Sequence, residues 1–166
     1  MMIMGIDPGY ATLGYGVISL RDQKFHAEHY GAIITKSGEI FSKRISYIYD
    51  KLLEIFHLYP IETVALERLY FQNNQKTAMC VAQARGVILL AAHKANVSVY
   101  EYTPLQVKMA VTGYGQAPKL QIMEMTRRLL KLEKVPKPDD TADALAIAIC
   151  HAHSVGIISR LKKFTT

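Results

Sequence analysis

The sequence predicts an α/β domain built on a mixed sheet. Residues 2–34 hold three strand-like runs in succession, and from residue 41 onward strands alternate with runs of helical period. The length of 166 residues suits one domain, with no internal repeat, low-complexity stretch or Gly/Ser linker to divide it.

Met2 to Ile6 is a nearly continuous apolar run and reads as a short strand buried on both faces, broken by Asp7-Pro8-Gly9. Gly14–Leu20 and Phe25–Ile34 read as two more strands joined near Arg21–Lys24, so the chain opens with an antiparallel meander. Phe41, Ile45, Ile48, Leu52 and Ile55 step by four, three, four and three, the mark of an amphipathic helix, and Pro60 follows its end. Thr63–Leu66 is a further short strand finishing at Glu67. A second helix is expected over Lys76–Lys94, a strand over Val97–Tyr102, and a short helix over Pro104–Val111 before the Gly113-Tyr114-Gly115 turn. Ile122, Met125, Leu129 and Leu132 mark another helix, and Pro136 and Pro138 break the chain before a last, largely apolar helix, Thr141–His153.

Composition narrows the function classes. Half of the residues are hydrophobic, which excludes a disordered chain. No apolar run approaches the roughly 18 residues of a membrane span, and the N-terminus lacks the basic n-region of a signal peptide. Two cysteines, Cys80 and Cys150, make no disulfide framework, so a reducing, cytoplasmic setting is expected. Twenty Lys+Arg against fourteen Asp+Glu leave a net charge of +6, which suits a polyanionic partner as well as it suits plain solubility.

Three acidic positions stand out, and each has an ordinary reading. Asp7-Pro8-Gly9 suits a type II turn, Glu67 beside Arg68 suits a strand-end ion pair, and Asp140 with Asp143 suits a helix N-cap and its third residue. Their joint placement favours another reading. Acids at the carboxyl ends of adjacent strands share one sheet edge, and a helix across that edge brings Asp140 and Asp143, three apart on one face, to the same spot. Asp139, four residues before Asp143, competes for that role. Four crowded carboxylates raise one another's pKa and stay ionised when cations sit among them. An oxygen-only donor set suits Mg²⁺ or Mn²⁺ rather than zinc. Two such ions about 3.5–4 Å apart activate water and stabilise the leaving oxygen of a phosphodiester, so in-line hydrolysis is the expected chemistry.

Gly5-Ile6-Asp7-Pro8-Gly9 with Gly14-Tyr15-Gly16-Val17, Glu67-Arg68-Leu69-Tyr70-Phe71 with Asn73, Gln83-Ala84-Arg85-Gly86, Gln106-Val107-Lys108 with Gly113-Tyr114-Gly115 and Lys119, and Asp140-Thr141-Ala142-Asp143 followed by Ala144–Ala148 form an ordered set. Together they resemble the RuvC Holliday-junction resolvases from residue 3 to about His153. The resemblance implies an RNase H-like fold, here a five-stranded mixed sheet flanked by helices. It places one nuclease domain over residues 1–156 and a basic tail over 157–166. It also implies a homodimeric, Mg²⁺-dependent crossover junction endodeoxyribonuclease, using two ions per site with Mn²⁺ as a substitute. Such an enzyme nicks two strands of like polarity across a four-way junction in recombination and repair, alongside the branch-migration proteins RuvA and RuvB. The family's catalytic and metal-ligating acids fall on Asp7, Glu67, Asp140 and Asp143, with Asp7 bridging the ions.

Tyr70 and Phe71 follow Glu67 closely, amid Arg68, Asn73, Asn74, Gln75 and Lys76. A ring there can be core, or a wedge: opening a base step costs a few kcal/mol, and stacking returns about 1–3 kcal/mol. The resemblance implies the wedge at Tyr70, where Phe is commoner, and phosphate contacts at Lys108 and Lys119. Arg68 and Phe71 complete the expected DNA-binding set. Arg160, Lys162 and Lys163 are expected in a solvated tail, and Cys150-His151-Ala152-His153 fits no zinc spacing, suggesting a partly buried helix end. Ala78, Ala82 and Gly86 form a small-residue stripe that suits close helix packing, within the chain or across a dimer. An RNA-processing nuclease of similar fold, a sugar-kinase-like ATPase and a non-catalytic junction-binding module are the rival readings.

Overall fold

The computed structural model describes residues 1–22, 24–68 and 75–163, with the backbone alone for 75–77 and 156–163. The elements run β1 (Met2–Asp7), β2 (Thr12–Arg21), β3 (Lys24–Ile34), α1 (Phe41–Leu58), β4 (Thr63–Glu67), α2 (Gln75–Lys94), β5 (Ser98–Tyr102), α3 (Pro104–Thr112), α4 (Lys119–Leu129) and α5 (Asp139–Lys163). They form the expected mixed sheet of five strands in the order β3-β2-β1-β4-β5. The β1/β2 and β2/β3 pairs are antiparallel, and β1/β4 and β4/β5 are parallel.

The sheet separates two apolar layers. On one face Ile3, Ile18 and Ala65 pack against Val107 and Val111 of α3, Ile122 of α4, and Leu145 and Ile149 of α5. On the other, Met4, Ile6, Val17 and Leu66 pack against Ile48 and Leu52 of α1 and Ile88 of α2. Successive β1 residues thus serve opposite layers, which is why that strand reads as continuously apolar.

Register sets the site. Ile6 pairs with Leu66, Asp7 with Gly14, and Glu67 with Tyr102, so Asp7 and Glu67 end neighbouring parallel strands at one edge. The first turn of α3 is fixed by a reciprocal cap: Thr103 Oγ1 accepts from the Gln106 N–H at 3.1 Å, and Gln106 Oε1 accepts from the Thr103 N–H at 2.8 Å. Gly113 then ends the helix in the left-handed region at φ 72°.

Most boundaries fall within two residues of expectation, and those of α4 and α5 differ in ways that bear on the site. α4 stops at Leu129, so Leu132 of the expected stripe lies beyond it; Lys131 turns the chain at φ 54°, and Arg127 Nη1 donates to the Leu132 carbonyl at 2.9 Å. α5 starts at Asp139, and its backbone stays helical to Lys163, ten residues past the expected end at His153. The N-cap reading of Asp140 is therefore corrected. Asp139 and Asp140 both lie in the first turn, and the Pro138 carbonyl accepts the Thr141 N–H at 3.0 Å.

α5 lies on a floor of glycine. A Cβ on Gly5 would collide with the Ala144 carbonyl, one on Gly14 with the Asp140 carbonyl, and one on Gly16 with the Leu145 side chain. The helix answers with Ala142, Ala144, Ala146 and Ala148, all buried. Gly14→Ala is expected to force helix and strand apart, costing about 1–3 kcal/mol as overpacking does. Thermal melts followed by circular dichroism would show this as a fall of several degrees in Tm, and an unchanged melt would contradict the close contact.

Candidate active site

Three elements deliver the acidic side chains. β1 ends at Asp7, β4 at Glu67, and the first two turns of α5 carry Asp140 and Asp143 over the same edge. All four meet: burial, then Glu67, Asp143 and Asp140 in that order, push the Asp7 carboxyl up to about 8, while Lys119 pulls the other way. Glu67 is raised too, first by burial and then by Asp143, again against Lys119.

Lys119, at the start of α4, is the counter-charge. Its Nζ lies 2.9 Å from Asp143 Oδ2 and 3.7 Å from Asp139 Oδ2. The hydrogen bond to Asp143 is the first cause holding its ammonium above the ordinary lysine range. Asp139 turns outward to Lys137, whose Nζ sits 2.6 Å from its Oδ1, and it does not figure among the charges acting on Asp7. Both contacts hold its carboxyl below the usual range, Lys137 foremost. Asp139 is thus paired with Lys137 and Lys119, while Asp140 is among the charges that raise Asp7.

The donor set fits a hard divalent cation. The acidic side chains here offer carboxylate oxygens alone, burial and crowding raise the pKa of Asp7, and the Lys119 ammonium already stands among them as a cation. Among the described residues no three carboxylate, imidazole or thiolate groups are placed to hold an ion as they stand.

Beside the acids a cleft of about 280 Å³ opens between α3, α4 and α5. Glu67, Asp143, Lys108 and Lys119 line it, over an apolar wall that includes Val107 and Ile147. Lys108 and Lys119 therefore both line the cleft beside the acidic edge. Arg68 is not the partner of Glu67: its Nε points to Glu101 Oε2 at 3.8 Å, and Arg85 of α2 also pairs with Glu101. The strand-end pair expected between Glu67 and Arg68 is replaced by this three-membered cluster. Tyr70 and Phe71 lie outside the described residues.

Sequence reading missed the link between α5 and β5. His151 is fully buried, not partly, and its Nδ1 lies 2.7 Å from Tyr102 Oη. Tyr102 is the residue paired with Glu67, and its carbonyl accepts the Arg68 N–H at 2.8 Å. Asp143 and His151 are eight residues apart, two turns along one helix face, so this bond fixes the helix that carries Asp143 against the strand beside Glu67.

The family model described as crossover junction endodeoxyribonuclease RuvC matches residues 3–151. A relative of that name from Caldanaerobacter subterraneus subsp. tengcongensis is 50% identical over 161 residues, covering 97% of this chain and 98% of the relative. The solved Thermus thermophilus RuvC structure superposes with a TM-score of 0.88 at 38% identity, over 95% of this chain and 96% of that one. The T. thermophilus RuvC in complex with a Holliday junction substrate gives 0.87 at 35% identity with the same coverage. The RNase H-like sheet is common to these chains and this one.

The raised Asp7 has a consequence for stability in EDTA. Its folded pKa, about 8, exceeds the ordinary 3.8, so the folded protein keeps a proton that the unfolded chain releases. Its contribution is full below about pH 4 and is lost as pH rises to about 8. The loss is at most about 1.4 kcal/mol per pH unit. Asp7→Asn is therefore expected to melt higher than wild type by a margin that widens from pH 5 to pH 8. A constant margin would contradict the burial and crowding described for Asp7.

Proposed function

Because the chain belongs to the RuvC family of crossover junction endodeoxyribonucleases, a family of metal-dependent nucleases, we propose that its acidic edge cuts Holliday junctions by two-ion hydrolysis. The observation that carries this reading is the meeting of Asp7, Glu67, Asp140 and Asp143 at one end of the sheet, where burial and then the other three carboxylates raise the Asp7 pKa. The reaction is hydrolysis of a phosphodiester in each of two strands of like polarity, during recombination and repair.

Asp7, Glu67, Asp140 and Asp143 would hold two Mg²⁺ ions, or Mn²⁺ in their place. Such ions supply an activated water and charge stabilisation for the leaving oxygen. To hold an ion Asp7 would have to give up a proton, so metal affinity should rise with pH towards about 8. Glu67 and Asp143 line the cleft and shape where a phosphate can sit, while Lys108 and Lys119 supply positive charge on its walls. Phosphate contacts of this kind fix register and carry no sequence information. Tyr70, with Phe71 and Arg68, is the proposed wedge and its support.

A homodimer completes the reading. Met79, Gly86 and Leu90 lie along one exposed face of α2, and nothing within 4 Å would meet a Cβ on Gly86. A small residue with free space suits the close approach of a second helix, and two-fold symmetry would place one site at each of two cleavage points. Residues 1–156 form the proposed nuclease domain and 157–166 a basic tail. Cytoplasmic location and partnership with RuvA and RuvB belong to the same reading. Among the described residues no helix is long and apolar enough to cross a membrane.

A labelled synthetic four-way junction, incubated with Mg²⁺ or EDTA beside a linear duplex, tests this directly. Paired nicks are expected only in the junction and only with Mg²⁺; tight binding without nicks under any divalent metal would overturn the catalytic reading. Asp7→Asn should abolish cleavage and keep junction binding. Tyr70→Ala should slow cleavage far more than it weakens binding, and an unchanged rate would remove the wedge.

A further inference from the structure

We propose that Arg44, on the first turn of α1, is a DNA-binding residue: it contacts a backbone phosphate of the strand that crosses the β1–β2 loop beside the acidic edge. The proposal rests on the junction-binding reading above and extends the contact surface to the side of Asp7 opposite Lys108 and Lys119.

Position is the first argument. The loop that follows Asp7 runs through Tyr10 and Ala11 into β2, and the end of β3 is tied to it, the Thr35 N–H donating to the Ala11 carbonyl at 3.0 Å. Three residues reach at most about 11 Å, so Tyr10 stays close to Asp7. On DNA with a phosphate about every 3.4 Å of rise per strand, that reach spans about three nucleotides. In the sheet order β3-β2-β1-β4-β5, Asp7 and Glu67 end the neighbouring strands β1 and β4, and α5 brings Asp140 and Asp143 over them. Lys108 and Lys119 come from α3 and α4, on the α5 face of the sheet, and Arg44 comes from α1, on the other face. A strand laid across the acids therefore meets positive charge on both sides.

Chemistry is the second argument. The guanidinium is held rigidly: Nε donates to Thr35 Oγ1 at 2.7 Å, Nη2 donates to the Tyr10 carbonyl at 3.4 Å, and the group lies 4.7 Å from the centre of the Tyr10 ring. Thr35 in turn donates to the Tyr10 carbonyl at 2.7 Å, and Phe41 backs the Tyr10 ring at 5.9 Å. These contacts use two of the five guanidinium N–H groups, leaving three. Among the described residues Arg44 makes no ion pair, and neither do its exposed neighbours Lys36 and Lys43. Lys119, by contrast, is matched by carboxylates. A stacked, pre-oriented guanidinium with spare donors and no carboxylate is suited to a phosphate oxygen.

The test is junction binding in EDTA across a NaCl titration, for wild type, Arg44→Gln and Arg44→Lys, with melts to confirm folding. Arg44→Gln keeps a planar donor for the Tyr10 carbonyl and loses the charge; Arg44→Lys keeps the charge and loses the fork. One lost phosphate contact should lower the slope of log affinity against log salt by roughly 0.7–0.9. That drop is expected in Arg44→Gln and not in Arg44→Lys. A wild-type slope in Arg44→Gln would overturn the proposal and leave Arg44 as a brace for the loop. Equal slope losses in both variants would also overturn it, since a brace depends on the fork and not on charge. A wild-type protein without salt-dependent junction binding would instead defeat the functional reading beneath it.

Discussion

The acidic edge depends on how closely α5 can lie on the sheet. Gly5, Gly14 and Gly16 present bare backbone where any side chain would strike Ala144, Asp140 or Leu145. The helix meets them with alanines and is buried as far as Ala152. Two acids on a helix and two on strands can share one spot only if the helix axis is near the strands, because carboxylates of Asp have little reach. Farther along, the His151–Tyr102 bond prevents the helix from sliding, so closeness and register are set by separate contacts.

That frame carries an electrostatic load it does not need for folding. A half-buried Asp7 amid three other carboxylates works against stability, and Lys119 offsets only part of the repulsion. Structures keep such clusters where charge is to be met by a ligand, and the surrounding packing must over-determine the geometry. Here the packing on both faces of β1 does so: Ile3 and Met4 anchor it in opposite layers, and neither is exposed.

Much of this was legible beforehand. The doubly buried β1, the period change at Phe41 and the two strand-end acids are local patterns, and the structure keeps each of them. Partnerships across the fold were not legible. Arg68 turns to Glu101 on β5, thirty-three positions along, rather than to adjacent Glu67. Lys119 pairs with Asp143 from another helix, a contact that no spacing along the chain announces. Arg44 shows no motif of its own and gains meaning only when β3 brings Thr35 to the loop after Asp7. Helix ends were the other weakness: an apolar stripe says which face is buried but not where the chain turns, as Lys131 shows at the end of α4. The alternating glycines of β2 were the one overlooked local signal, a strand with no side chain to offer on the face a helix must approach.

The parallel register of β1 and β4 constrains how such a gene can drift. Side chains alternate across a strand, so deleting one codon within either strand would swing its terminal carboxylate to the α1 and α2 side of the sheet. The connections at the opposite end, Arg21–Lys24, Leu58–Thr63 and Lys94–Ser98, carry no part of the acidic edge. Length variation should collect there, and those are also the places where a fusion or reporter could be spliced in without disturbing the acids.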